Sequence, residues 1–181
     1  MTDPGPIFTV GHSTRPIEEF LALLRDASID CVIDVRRLPG SRAYPQYNAD
    51  ALADSLAGEN IDYRQLEALD GRRSAGEVKG LPGSDFWRNA SFARYAAWTH
   101  SEAFQKDFET LLDLARATRC VLMCSEAVWW RCHRRIIADL LLARGIPVKH
   151  IMAPGKVVAA ELTRGACVIN DRVVYRATVS S

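Results

Sequence analysis

The sequence predicts an α/β fold: a mostly parallel central sheet with helices on both faces and a C-terminal β-hairpin. Three observations predict it. Short β-branched runs alternate with helical patterns at βαβ spacing. The run at 31–36 has a dense β-branched core, and that at 120–124 is apolar on both faces, as strands in a covered sheet are. Near the end, CVIND and VVYRA flank an Asn170–Asp171 turn, which suits a hairpin.

The elements follow in order. IFTVGH at 7–12 is a strand ending in a turn. Thr14 is the expected N-cap of the next helix, with Pro16 in its first turn and Phe20, Leu21, Leu23 and Leu24 on its apolar face. CVIDVR at 31–36 is the second strand, and Pro39, Gly40 and Pro45 punctuate the loop beyond it. Asn48 caps a helix running through Ala57, and residues 61–66 form a third strand. Residues 70–90 are irregular and rich in glycine, with Arg72, Arg73, Lys79 and Arg88. A loop this long in a small domain reads as a lid, a binding loop or an inert insertion. Residues 91–98 and 102–116 read as helices, the second with Phe104, Phe108, Leu111, Leu112 and Ala115 on one face. CVLMC at 120–124 is a buried strand, residues 132–143 a helix stopped by Gly145, and 148–152 another strand. A short helix is expected at 156–163.

The bulk numbers fit one domain spanning residues 1–181. Hydrophobic residues make up 48 % and charged residues 25 %, an ordinary globular balance. Twenty-three basic side chains against 22 acidic ones leave a formal charge of +1, which gives no support to nucleic-acid binding beyond a local patch. The N-terminus does not read as a signal peptide, and no apolar run is long enough to span a membrane. The five cysteines are odd in number and sit in a well-patterned core, so a reducing, cytoplasmic setting is expected rather than a disulfide scaffold. No G-x-G-x-x-G, Walker A, G-x-S-x-G or C-x5-R sequence occurs, and no cofactor is expected.

Ligands of open parallel sheets bind beyond the carboxyl ends of the strands. If the first, second and central strands are neighbours, three groups meet there: His12 and Ser13; Asp34, Arg36 and Arg37; and Cys124 with Glu126. The candidate catalytic residues are therefore Cys124, Glu126, Asp34 and His12. A Cys124 thiolate would be stabilised by arginines and helix N–H groups, with His12 or His133 as base. Glu126 or Asp34 would act as general acid or base where burial raises its pKa. The candidate ligand-binding residues are Ser13, Arg36, Arg37, Arg42, Arg131, His133 and Arg134, an anion pocket built on guanidinium groups and a helix N-terminus. Cys31, Cys120 and Cys167 read as core residues. Cys132 and His133 are adjacent at an expected helix start, so they should point in different directions. The C-x7-C-H spacing matches no strong zinc pattern, and the metal question stays open. Trp129 and Trp130 stand beside this cluster, and His150 ends a strand on the same edge.

TVGHS near the start, DVRRLPGSR at 34–42 and MCSEAVWWRCHRRIIADLL at 123–141 together resemble the DUF488 family, over residues 8–152. The resemblance places signature positions at Gly11, His12, Ser13, Asp34, Arg36, Pro39, Ser41, Arg42, Cys124, Glu126, Cys132, His133 and Arg134. It implies a polar site at the strand ends and carries no reaction. Two segments depart from the family pattern: ALDGRR lacks the LGG-R wording, and AVWW replaces a proline-containing form. Both suggest a subgroup with a different ligand. The leading expectation is an enzyme or binder of a phosphorylated, nucleotide-like or nucleic-acid-derived substrate. The alternatives are a nucleic-acid-binding accessory protein using Arg36, Arg37, Arg42, Arg72, Arg73 and Arg131, a thiol redox or metal-binding protein using Cys124 and Cys132, and a scaffold without chemistry.

Overall fold

Eight strands and five α-helices follow one another among the described residues: β1 (Ile7–Gly11), α1 (Ile17–Asp26), β2 (Cys31–Asp34), α2 (Ala49–Ala57), β3 (Asp62–Gln65), α3 (Ala90–Trp98), α4 (Glu102–Ala117), β4 (Cys120–Cys124), α5 (Arg134–Ala143), β5 (Val148–Ala153), β6 (Lys156–Ala159), β7 (Ala166–Ile169) and β8 (Arg172–Tyr175). This is a computed structural model; it describes residues 4–37, 39–40 and 42–177, so Ser41 lies outside the described residues. Six strands form one sheet in the order β3-β2-β4-β1-β5-β6. The first five are parallel, and β6 runs antiparallel to β5. The β7–β8 hairpin forms a separate two-stranded sheet.

Strand alternation splits the interior into two apolar cores. Phe8, Val10, Val32, Val121 and Met123 pack against Phe20, Leu23 and Leu24 of α1 and Leu52 and Leu56 of α2. On the opposite face Ile7, Ile33, Leu122 and Cys124 pack against Phe104, Phe108 and Leu111 of α4 and Ile136, Ile137 and Leu141 of α5. Helices therefore cover both faces, as both-face apolarity of the central strands requires. The chain leaves β1 towards β2 on one side and leaves β4 towards β5 on the other. Their neighbouring ends, with Gly11 paired to Cys124, form the topological switch point.

Gly11 is needed there for space. A Cβ on it would lie 1.8 Å from the Glu126 carbonyl oxygen, because the loop after β4 crosses directly over the end of β1.

Four local expectations are corrected. Residues 156–159 form strand β6 rather than a helix. Gly155, at φ +70°, turns the chain back, and Val157 and Val158 suit pairing with the open edge of β5. Pro16, not Thr14, occupies the N-cap position of α1, and no side chain caps it. Asn48 stands at the N-cap position of α2, but its side chain makes no cap bond. α5 begins at Arg134, two residues late, because a 3-10 turn at Trp129–Arg131 leads into an extended Cys132. Asn170 and Asp171 both have positive φ, as the two-residue hairpin turn requires.

Candidate functional site

β2, β4 and β1 are adjacent, so the three expected groups do meet at their carboxyl ends. A cavity of about 440 Å³ opens there, lined by His12, Arg36, Arg37, Tyr44, Gly71, Arg72, Phe92, Tyr95, Glu126, Arg131 and the Cys124, Cys132 and His133 cluster.

At the floor the Cys124 and Cys132 sulfurs lie 2.8 Å apart, and both residues are buried. Arg134 stands behind them. It is among the largest fully buried side chains, and among the described residues it has no carboxylate partner. Its backbone N–H and its Nε each donate to Cys132 Sγ at 3.4 Å. Nη2 donates to the Glu126 carbonyl at 2.6 Å and Nη1 to Thr9 Oγ1 at 3.2 Å. The Thr9 hydroxyl accepts from that N–H and is hydrogen-bonded in turn to His150 Nδ1, 2.6 Å away. His150 is buried and stacks on Trp129 with ring centroids 4.6 Å apart. Burial, reinforced by the Arg134 charge, lowers its pKa to about 4, so the relay ends in a neutral imidazole.

A buried guanidinium needs a compensating anion or carries a penalty of several kcal/mol. Cys132 meets that need. Burial opposes its ionisation, but the hydrogen bond from Cys124, the His133 imidazole and the Arg134 charge together hold its thiol well below the usual range. His133 Nε2 is 2.9 Å from the Val35 carbonyl, which can only accept, so the Nδ1 atom, 3.6 Å from Cys132 Sγ, is free to take the thiol proton. Burial and the neighbouring Cys132 push the Cys124 thiol well up. The groups expected to stabilise a thiolate are thus gathered around Cys132 rather than Cys124. The expected divergence of Cys132 and His133 is also corrected: both precede the helix proper, and both line the cavity.

The second cluster surrounds Asp34, which is fully buried. Arg36 Nε and Nη2 grip its carboxylate at 3.0 and 2.8 Å, and Tyr63 donates to the same oxygen as Nη2. His12 stacks on Tyr47 with centroids 4.0 Å apart. Its Nδ1 donates to the Ser13 carbonyl at 2.8 Å, leaving Nε2 to accept from Arg36 Nη1 at 3.3 Å. Burial, above all, lowers the His12 pKa to about 4.

The remaining expected residues are spread unevenly. Arg131 is exposed on the cavity rim, and Glu126 is exposed beside it, with Oε1 3.4 Å from the Val128 N–H. Arg37 lines the rim but is tied to the Arg72 carbonyl at 2.8 Å and to Glu77 at 3.7 Å. Arg134 lies beneath the cavity rather than on its lining, while Ser13 and Arg42 stand outside the lining. Of the six arginines of the basic-surface expectation, Arg36, Arg37 and Arg73 are held in ion pairs. Among the described residues no group of three His, Cys, Asp or Glu side chains is arranged to hold a metal ion. No helix among them is long and apolar enough to cross a membrane.

Sequence reasoning missed Gly71, Thr9, Phe92 and Tyr95. Gly71 forms one wall against His133, where a Cβ would lie 2.8 Å from Nδ1. Tyr95 packs edge-on against the same ring. No local signal marks Gly71, Phe92 or Tyr95, because the 70–89 loop and α3 reach the site only through tertiary packing, and Thr9 reads as one more residue of a buried strand.

A family model described as "Domain of unknown function DUF488" matches residues 16–141. No curated protein and no solved structure matches the chain.

Proposed function

The chain belongs to the DUF488 family, and from the chemistry of its cavity we propose that it binds a phosphate-bearing small molecule and acts on it through the Cys132 thiol. One observation carries this reading. Arg72 and Arg131, two cavity-lining cations without an ion pair among the described residues, share that lining with a thiol held by a buried guanidinium. Guanidinium groups favour phosphate oxygens through paired N–H donors. Tyr44 and Phe92 on the same lining offer aromatic surface to a base or other flat group.

The roles divide by engagement. Cys132 is the nucleophile and His133 its base. Glu126, exposed at the rim, is the carboxylate available to exchange a proton with the bound molecule. Asp34 and His12 act through Arg36: they fix the guanidinium of a residue on the cavity lining.

Calorimetric titration with inorganic pyrophosphate and with adenosine monophosphate tests the binding half. Wild-type protein binds at least one of them. Arg72→Ala and Arg131→Ala each weaken that affinity by roughly tenfold, as loss of a charged hydrogen bond does. No binding of either probe, or affinity unchanged in both variants, overturns the reading.

A further inference from the structure

Two thiols within bonding reach, one held as the anion and the other as the neutral thiol, make a donor of two electrons. We propose that Cys132 and Cys124 form a dithiol/disulfide couple that reduces a small hydroperoxide entering the cavity. The proposal rests on the proposed function's placement of the reactive thiol at Cys132, and it is independent of the phosphate.

The geometry supports each partner. The sulfurs are 2.8 Å apart, and a disulfide bond is about 2.05 Å long, so under an ångström of side-chain movement closes it. Cys124 ends β4, and Cys132 lies between a 3-10 turn and α5, with the cavity above both. Both residues are almost fully buried, at 3 % and 5 % exposure, which admits a compact electrophile more readily than a bulky disulfide. Cysteines that react with peroxide combine thiolate character with a nearby resolving thiol.

In the first step the Cys132 thiolate attacks the outer peroxide oxygen. An S–O bond forms, the O–O bond breaks, and the departing alkoxide or hydroxide takes the proton held on His133 Nδ1. Cys132 is now a sulfenic acid. In the second step Cys124 attacks Cys132 Sγ. The S–S bond forms, the S–O bond breaks, and hydroxide leaves with the Cys124 proton as water. One peroxide is reduced by two electrons, and an external small-molecule dithiol restores the pair.

The molecule contains its own control. Cys31 and Cys120 are paired in register at the opposite end of β2 and β4, away from the cavity. The full chain, reduced and freed of reductant without air, is mixed with hydrogen peroxide and mapped by peptide mass spectrometry under non-reducing conditions. The expected product joins Cys124 to Cys132, loses two thiols per peroxide consumed, and is restored by dithiothreitol. Cys124→Ser stops at a sulfenic acid on Cys132, trapped by dimedone. Cys132→Ser consumes peroxide at least tenfold more slowly, with circular dichroism checking its fold. A disulfide joining Cys31 to Cys120, or wild-type oxidation that stops short of a Cys124–Cys132 bond, overturns the couple. Titration of the same samples with both pyrophosphate and adenosine monophosphate separates the two claims. Binding without the disulfide sinks only the couple, and the disulfide without binding sinks only the ligand reading.

Discussion

Arg134 sits at 1 % exposure with four hydrogen bonds and no carboxylate among the described residues, so its neighbours must supply the countercharge. Lysine in its place keeps the charge but offers a single point rather than a fork. It cannot reach Cys132 Sγ, Thr9 and the Glu126 carbonyl together. Arg134→Lys should therefore move the Cys132 alkylation profile to higher pH and slow modification several-fold on its acid limb. The pH profile of iodoacetamide modification checks this, and an unmoved profile would show that Arg134 does not hold the thiolate. The two buried histidines make a separate prediction. His12 and His150 both titrate at about 4 in the fold against 6.5 in an open chain, chiefly through burial. Between those values the unfolded chain binds protons that the folded chain refuses, so stability rises with pH across that window and falls on acidification. His150→Asn should lose less melting temperature between about pH 7 and pH 5 than wild type loses. Equal losses would mean that His150 is not the neutral, protected group its contacts require.

At the scale of elements, legibility followed how locally each feature was determined. β1, β2 and β4 were readable because both their faces are buried and their β-branched runs say so. The meeting of Gly11, Asp34 and Cys124 was readable only on the condition that β1, β2 and β4 are neighbours, which the sheet order supplies. β6 was not, because KVVA is too short for periodicity to separate strand from helix, and only the open edge of β5 decides it. The late start of α5 was equally hidden, and it matters more. The extended Cys132 before the helix turns two adjacent side chains into one cluster. The cavity wall at Gly71 depends on a contact 62 residues away in sequence, beyond any local pattern. That contact is testable. A methyl group at Gly71 would lie 2.8 Å from His133 Nδ1, the end of a side chain that can rotate rather than backbone. Gly71→Ala should therefore displace the imidazole from Cys132, slowing thiol alkylation several-fold while the melting temperature changes little. A large loss of stability with normal reactivity would place the strain elsewhere.

At the scale of the molecule, the C-terminal hairpin lies beyond the 16–141 family match yet reaches into the core built by that region. Tyr175 of β8 donates to Asp139 of α5 at 2.7 Å, and both groups are buried. The Tyr175 carbonyl accepts from Ser84 at 2.9 Å, and the Ala177 N–H donates to Asp85 at 2.8 Å. Phe86 and Trp87 pack on the Tyr175 ring, and Arg135 covers Trp87. The hairpin thus clamps the far end of the loop whose near end, at Gly71 and Arg72, walls the cavity. A single domain over residues 1–181 predicts that hairpin, loop and sheet melt as one unit. Tyr175→Phe keeps the ring packing but leaves one Asp139 oxygen without its hydroxyl donor, at a cost of about 1–3 kcal/mol. For a chain of this size that lowers the melting temperature by roughly 2–4 °C per kcal/mol. Scanning calorimetry should record one transition, shifted down as a whole. A second, earlier transition that appears only in the variant would mean that the hairpin folds apart from the sheet, and the clamp on the cavity wall would then be separable from the core.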